Sequence, residues 1–147
     1  MIFGPAYALG TTLTMATYYT TRDRNILSKS QAELGGIWPE NQKECPPWID
    51  LQKLPYLTAV IKETLRMAGG VSTSVPRITP LGGMQIAGLH VPQGITVSSS
   101  SYFSNHDEKI FKNPHAFCPE RWITGGKEMQ KWDLTFSVGP RQCPAIR

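Results

Sequence analysis

The sequence predicts an α+β domain that is mostly helical. Up to Ala68 apolar residues recur at helical spacing, whereas between Met84 and Val97 they alternate, the period of a strand. A third observation is the count of 12 prolines and 13 glycines in 147 residues, which calls for long connections and argues against a simple bundle or coiled coil. With 40% hydrophobic and 18% charged residues, the chain is too apolar for wholesale disorder. Its net charge of +4 comes from 15 basic and 11 acidic residues without a lysine or arginine run, which excludes a nucleic-acid footprint.

The first helix is expected from Pro5 to Tyr19, with Ala6, Leu9, Leu13 and Ala16 as its apolar stripe. Pro5 suits the first helical position, where a missing N–H costs nothing. No charge falls within the first 21 residues. Threonines, Gly4, Pro5 and Gly10 nevertheless dilute the segment below the apolarity of a spanning helix, and it has neither a basic leader nor a cleavage site. It reads as a buried core helix.

A second helix covers Asp23 to Leu34, with Ile26, Leu27 and Leu34 inward and Gly35-Gly36 ending it. Trp38 to Trp48, rich in proline, is a surface connection. The best-defined helix opens at Pro55, lines one side with Leu57, Val60, Ile61, Leu65 and Ala68, and closes at Gly69-Gly70. Glu63 and Arg66, three apart, share a face of it.

Val75 to Ile78 is a short extended run. Met84/Ile86 and Leu89/Val91 flank Ala87-Gly88 as a hairpin, and Ile95 and Val97 continue extended structure into Ser98–Ser101. From Tyr102 to Trp122 short helical turns alternate with loop, and the chain ends in a glycine-bearing loop around Cys143. There is no internal repeat.

Three cysteines (Cys45, Cys118, Cys143) without a CxxC pair exclude a disulfide framework and a structural zinc site. His106, His115 and Cys118 lie near one another but match no metal-ligand spacing and read as ordinary surface and packing residues. The tail is different. Phe136-Ser137-Val138-Gly139-Pro140-Arg141-Gln142-Cys143 is a loop that can turn at Gly139 and set one thiol beside one guanidinium. A neighbouring cation favours thiolate, the form of cysteine that binds metal.

Phe136, Gly139, Arg141 and Cys143 resemble the haem-binding loop of the cytochrome P-450 family, the haem-thiolate monooxygenases. Three further matches occur in the family's order. Lys62-Glu63-Thr64-Leu65-Arg66 is similar to its Glu-x-x-Arg helix, Val75-Pro76-Arg77 to the strand that follows, and Phe117-Cys118-Pro119-Glu120-Arg121-Trp122 to its Pro-Glu-Arg segment. Leu54-Pro55-Tyr56-Leu57-Thr58-Ala59-Val60 resembles the fungal members.

The resemblance implies the C-terminal part of that fold over residues 1–147, from the end of the oxygen-activating helix to the cysteine loop, with a small β-hairpin region. It implies haem b with Cys143 as axial thiolate, which favours O–O cleavage. Arg141 and Arg77 would pair with the propionates and Phe136 would pack by the haem. Glu63, Arg66 and Arg121 would form a buried, structural salt-bridged triad. The implied activity is insertion of one oxygen atom into a small organic substrate, with electrons from a reductase, at the endoplasmic reticulum membrane through an anchor this chain lacks. A non-catalytic haem-binding or pseudoenzyme chain is the alternative. An unrelated interaction domain with an incidental Cys143 is a third reading.

Two departures qualify the implication. The family's oxygen-activating pattern aligns with Gly4-Pro5-Ala6-Tyr7-Ala8-Leu9, which lacks its acid and its threonine. Pairing with Gly10-Thr11-Thr12 recovers threonines but no acid and needs a gap, so no catalytic residue is expected on this helix. After Cys143 stands Pro144, without an N–H to donate to sulfur, which predicts a more strongly donating thiolate. The expected chain is therefore a truncated monooxygenase, poorly soluble because its helices show uncovered apolar stripes, and without a haem-thiolate band near about 450 nm on its own.

Overall fold

Capping chemistry divides the first half of the chain. In a computed structural model, which describes residues 3–144 apart from Asn41 and Ser72, four helices come first: α1 (Phe3–Arg22), α2 (Arg24–Gly35), the single turn α3 (Trp48–Leu51) and α4 (Pro55–Ala68). Asp23 separates α1 from α2. Its backbone is extended and its carboxylate accepts the amides of Asn25 and Ile26 at 2.9 and 3.3 Å, two donors the new helix cannot satisfy itself. α1 begins ahead of Pro5, whose lack of an N–H is harmless in a first turn, and continues past Tyr19 to Arg22.

The covered face of α1 corrects the expected stripe. Leu9 and Leu13 are 61% and 58% exposed, and the half-buried side is Ala8, Thr11, Thr12, Met15, Ala16 and Tyr19. Small side chains let α1 come close to α2 and α4. The hydroxyl of Thr12 donates to the Ala8 carbonyl at 2.8 Å, so threonine packs there without losing its hydrogen bond. α1 is consequently half-covered, not a buried helix, and no described helix is long and apolar enough to cross a membrane.

α4 starts and stops at its proline and glycine signals. Gly69 closes it in the left-handed region (φ 70°), its N–H on the Leu65 carbonyl. Leu54 at the N-cap has no side-chain acceptor to offer. Glu33 of α2 supplies one from a distance, accepting the amides of Tyr56 and Leu57 at 2.8 and 2.7 Å and placing a carboxylate at the positive helix end. The buried face is Tyr56, Ala59, Val60, Glu63, Thr64 and Arg66, while Ile61, expected inward, is 42% exposed. Ionic partners, described below, turn the helix this way.

Two small antiparallel pairs follow. β1 (Val75–Ile78) pairs with β4 (Thr96–Ser99), Arg77 opposite Val97, and β2 (Met84–Ile86) pairs with β3 (Leu89–Val91), Ile86 opposite Leu89. Ala87 and Gly88 both have positive φ (49° and 83°), the two left-handed residues a tight hairpin turn needs. Buried Thr79 ties the connection between the pairs, donating to the Pro92 carbonyl at 2.6 Å and accepting the Ile95 amide at 3.0 Å. Ser100 ends the extended run by capping α5 (Ser101–Asn105), so Ser101, expected extended, is helical. α6 (Glu120–Thr124), α7 (Gly126–Gln130) and a 3-10 turn at Gly139–Arg141 complete the described chain. The architecture is α+β and mostly helical, as the sequence predicts.

Among the described residues the core is two small clusters on either side of α4. Ile26, Tyr56 and Val60 pack with Phe117, and Ala59, Phe111 and Trp122 pack with Ile110 and Met129. Many large apolar side chains stay outside, among them Tyr7, Trp48, Ile78, Leu81, Leu89 and Phe103.

Candidate functional site

A buried carboxylate organises the second half of the molecule. Glu63, fully buried on α4, accepts from Arg66 Nε (3.0 Å) and Nη2 (2.8 Å), a bidentate pair one helical turn apart. Its Oε1 also takes Arg121 Nε at 3.1 Å and the Cys118 amide at 3.0 Å, and its Oε2 takes Trp122 Nε1 at 2.8 Å. One negative charge thus faces two guanidiniums. The surplus positive charge is spread over carbonyls: Arg66 donates to Asn105 (2.6 Å), and Arg121 to Lys112 (2.8 Å), Asn113 (3.3 Å) and Ala116 (3.2 Å). The Phe111 ring lies between, 5.0 Å from the Arg66 guanidinium and 5.9 Å from that of Arg121. Asn105 answers with its Nδ2 on the Arg66 carbonyl at 3.0 Å. α4, α5, the 112–118 loop and α6 are therefore held by one network.

Glu63, Arg66 and Arg121 were expected to meet on motif grounds. Phe111, Asn105, the Trp122 indole and the Cys118 amide carry no local signal in the sequence, because they reach Glu63 or its arginine partners only through the folded chain.

A second carboxylate staples α2 to this assembly. Glu120 accepts Lys29 Nζ at 2.7 Å and the Tyr56 hydroxyl at 3.1 Å, with the Cys118 thiol 3.8 Å from its other oxygen. Burial pushes the Glu120 carboxyl up, but the bonds from Lys29, the local backbone and Tyr56 outweigh it and leave the group below its ordinary value. Burial, then the bond to Glu120, pushes the Tyr56 phenol well above its usual range. Because the folded Glu120 is the stronger acid, its contribution is present above its unfolded pKa and is lost as pH falls below about 4.5. Glu120→Gln is therefore expected to flatten the acid limb of stability against pH relative to the parent chain. Urea midpoints measured from pH 7 to about pH 3 check this, and parallel acid limbs would refute it.

The cysteine loop lies at the other end of the chain. Ser137 (φ 61°) and Gly139 (φ 74°) both adopt the left-handed region, so the loop turns twice before Arg141. The Cys143 N–H closes it by donating to the Phe136 carbonyl at 2.8 Å. A Cβ added to Gly139 would meet nothing within 4 Å, so this face of the loop is open. Cys143 is half-buried, while Arg141 and Phe136 are exposed. Just upstream, the Thr135 carbonyl lies 4.0 Å from where a Cβ on Gly70 would stand, which places the loop's approach beside the end of α4.

Arg77 is exposed on β1 and its Nη1 donates to the carbonyl of its neighbour Pro76 at 2.8 Å. A concavity of about 380 Å³ between Tyr19, Ile26 and Phe117, and one of about 440 Å³ beside Pro46 and Leu54, are lined by none of Phe136, Arg141, Cys143 and Arg77. The structure thus brings Phe136, Gly139, Arg141 and Cys143 into one loop and leaves Arg77 on the β1–β4 pair.

The donor chemistry of the loop fits a haem group. It offers one soft sulfur ligand on a turn with an open face, with an arginine two residues before it in the chain. Of the other thiols, Cys118 faces Glu120 and Cys45 sits exposed on the connection before α3.

Comparison with known proteins finds relatives along nearly the whole chain. The family model described as cytochrome P450 matches residues 7–145. The cytochrome P450 monooxygenase claJ of Penicillium crustosum is 42% identical over 127 residues, covering 84% of this chain and 29% of the relative. The cytochrome P450 monooxygenase ankB of Aspergillus thermomutatus is 38% identical over 139 residues, covering 89% and 25%. The cytochrome P450 monooxygenase cloA of Claviceps purpurea is 52% identical over 95 residues, covering 63% and 18%. The chain thus spans less than a third of the length of these relatives. A family match along nearly all of its length, with fungal relatives this similar, means that the chain belongs to the cytochrome P450 family.

Proposed function

We propose that this chain is the cysteine-bearing part of a haem-thiolate monooxygenase, with Cys143 as the ligand of haem iron. The observation that supports the reading is the 136–143 loop: two left-handed turns, a closing Cys143 N–H to Phe136 bond at 2.8 Å, and an open face at Gly139. When bound, haem supplies the centre at which one oxygen atom is inserted into an organic substrate. Around it, Cys143 would hold the iron, and Arg141 and Arg77, planar and permanently charged, would hold the propionates. Phe136 would cover the haem beside the sulfur, and the bare α-carbon of Gly139 would let the loop approach it. Glu63, Arg66 and Arg121 would touch neither haem nor substrate; they hold the frame from which the loop departs. Pro144, which has no N–H, would leave the thiolate one donor short and more strongly donating. A small organic substrate, an electron-donating reductase and a place at the endoplasmic reticulum membrane belong to the same reading.

The test moves this segment into the Penicillium relative in place of its matched stretch. The folded chimera is expected to give a reduced carbonyl complex absorbing near about 450 nm. The band should vanish in Cys143→Ser and persist in Cys45→Ser. A folded chimera without haem, or a band that survives Cys143→Ser, overturns the reading. The isolated chain is expected to lack the band.

The second reading, a haem-binding chain without catalysis, rests on α1. Its Thr12, Thr14 and Thr17 hydroxyls donate to carbonyls four residues back, at 2.8–2.9 Å, so the helix itself engages them. A chimera with a full thiolate spectrum and no oxygenated product favours that reading.

A further inference from the structure

Two imidazoles that show no metal-ligand spacing in the sequence are neighbours in the fold. His106 ends α5, stacked on the Tyr102 ring at 4.3 Å. Its Nδ1 lies 2.9 Å from the Tyr102 carbonyl oxygen. A carbonyl oxygen only accepts, so Nδ1 carries the proton and Nε2 presents its lone pair. Anchoring of one ring N–H on a carbonyl is the arrangement that orients metal-ligating histidines.

His115 stands exposed in the turn closed by the Ala116 amide on the Asn113 carbonyl at 3.0 Å. Arg121, bonded to the carbonyls of Lys112, Asn113 and Ala116, pins that turn to the Glu63 network. The two ring centroids are 5.1 Å apart and the rings are tilted by 34°. Two imidazoles bound at ~2.1 Å to adjacent positions of one ion place their centroids roughly 4.5–5.3 Å apart. The observed separation falls inside that range, and the His115 ring is exposed to solvent.

We propose that His106 and His115 form a two-histidine site for a borderline divalent transition metal ion such as Ni²⁺ or Zn²⁺. Among the described residues no third histidine, cysteine or carboxylate completes a ligand set. The Asp107 Oδ1 accepts the Lys109 amide at 2.8 Å and the Cys118 thiol faces Glu120. Water fills the remaining positions, so the ion is exchangeable, and it braces the end of α5 against the 113–116 turn. The site does not depend on the haem reading and shares no residue with it.

The probe is Ni²⁺ alone, titrated calorimetrically into the purified chain in a non-chelating buffer, with circular dichroism confirming that each variant folds. One ion per chain is expected. His106→Gln and His115→Gln should each weaken binding at least tenfold, while His90→Gln and Cys45→Ser leave it unchanged. His115 is exposed, so its variant reads the site even if His106→Gln disturbs packing against Tyr102. Absence of binding to the parent chain, undiminished binding by His115→Gln, or loss of binding in His90→Gln or Cys45→Ser overturns the proposal.

Discussion

Replacing Glu63 with alanine is expected to destabilise the chain by about 3–5 kcal/mol, a large share of the roughly 5–15 kcal/mol that holds a typical domain folded. The magnitude follows from what is left behind. Arg66 is 2% exposed and would keep its charge in the interior with no anion, only the Asn105 and Ala116 carbonyls, the Met67 sulfur and the Phe111 ring, to answer it. The Trp122 indole and the Cys118 amide would each lose the carboxylate they donate to. Urea denaturation of the parent chain and of Glu63→Ala measures the loss. Arg66→Ala made in both backgrounds isolates the pair. In the Glu63→Ala background the arginine change should be far milder, because the stranded charge is removed. A loss below about 1 kcal/mol in Glu63→Ala would mean that the carboxylate does not organise the network.

Phe111→Ala carries the second-largest expected effect, again about 3–5 kcal/mol. Phe111 is fully buried. Its ring lies 6.0 Å from that of Trp122 and presents its π system to the guanidiniums of Arg66 and Arg121. Truncation removes the apolar contact with Ala59 and Trp122 and also exposes the two cations to a void. Phe111→Leu separates the two effects. It keeps most of the volume and deletes the π face, so a loss of about 1–2 kcal/mol is expected if the cations matter. Equal stability of Phe111→Leu and the parent would assign the whole effect to packing. Thermal or urea unfolding of the three chains decides it.

Both predictions concern residues whose roles were legible to different degrees. Glu63 and Arg66 stand one helical turn apart, so their shared face follows from helix geometry, and Arg121 was joined to them by motif resemblance. Phe111 had only its apolarity. Trp122 was visible as part of a motif, yet its indole bond to Glu63 required the folded α6. Glu33 had no signal at all as a cap, because it belongs to α2 and the amides it accepts begin α4.

Local chemistry by itself determined the limits of α4, the Asp23 break, the Ala87-Gly88 hairpin turn and the sharp Phe136–Cys143 loop. Each depends on groups within a few residues of one another: a proline without an N–H, a carboxylate capping nearby amides, glycines free to adopt positive φ. Tertiary structure decided which face each helix buries. α1 turns Ala8, Thr11, Thr12 and Ala16 inward and leaves Leu9 and Leu13 outside, and α4 exposes Ile61 while burying Glu63 and Arg66. It also brought His106 to His115 and turned Cys118 toward Glu120. Helical periodicity reports that a stripe exists, but close approach between small residues and the pairing of distant charges choose the side that is covered, and those partners meet only when the chain has folded.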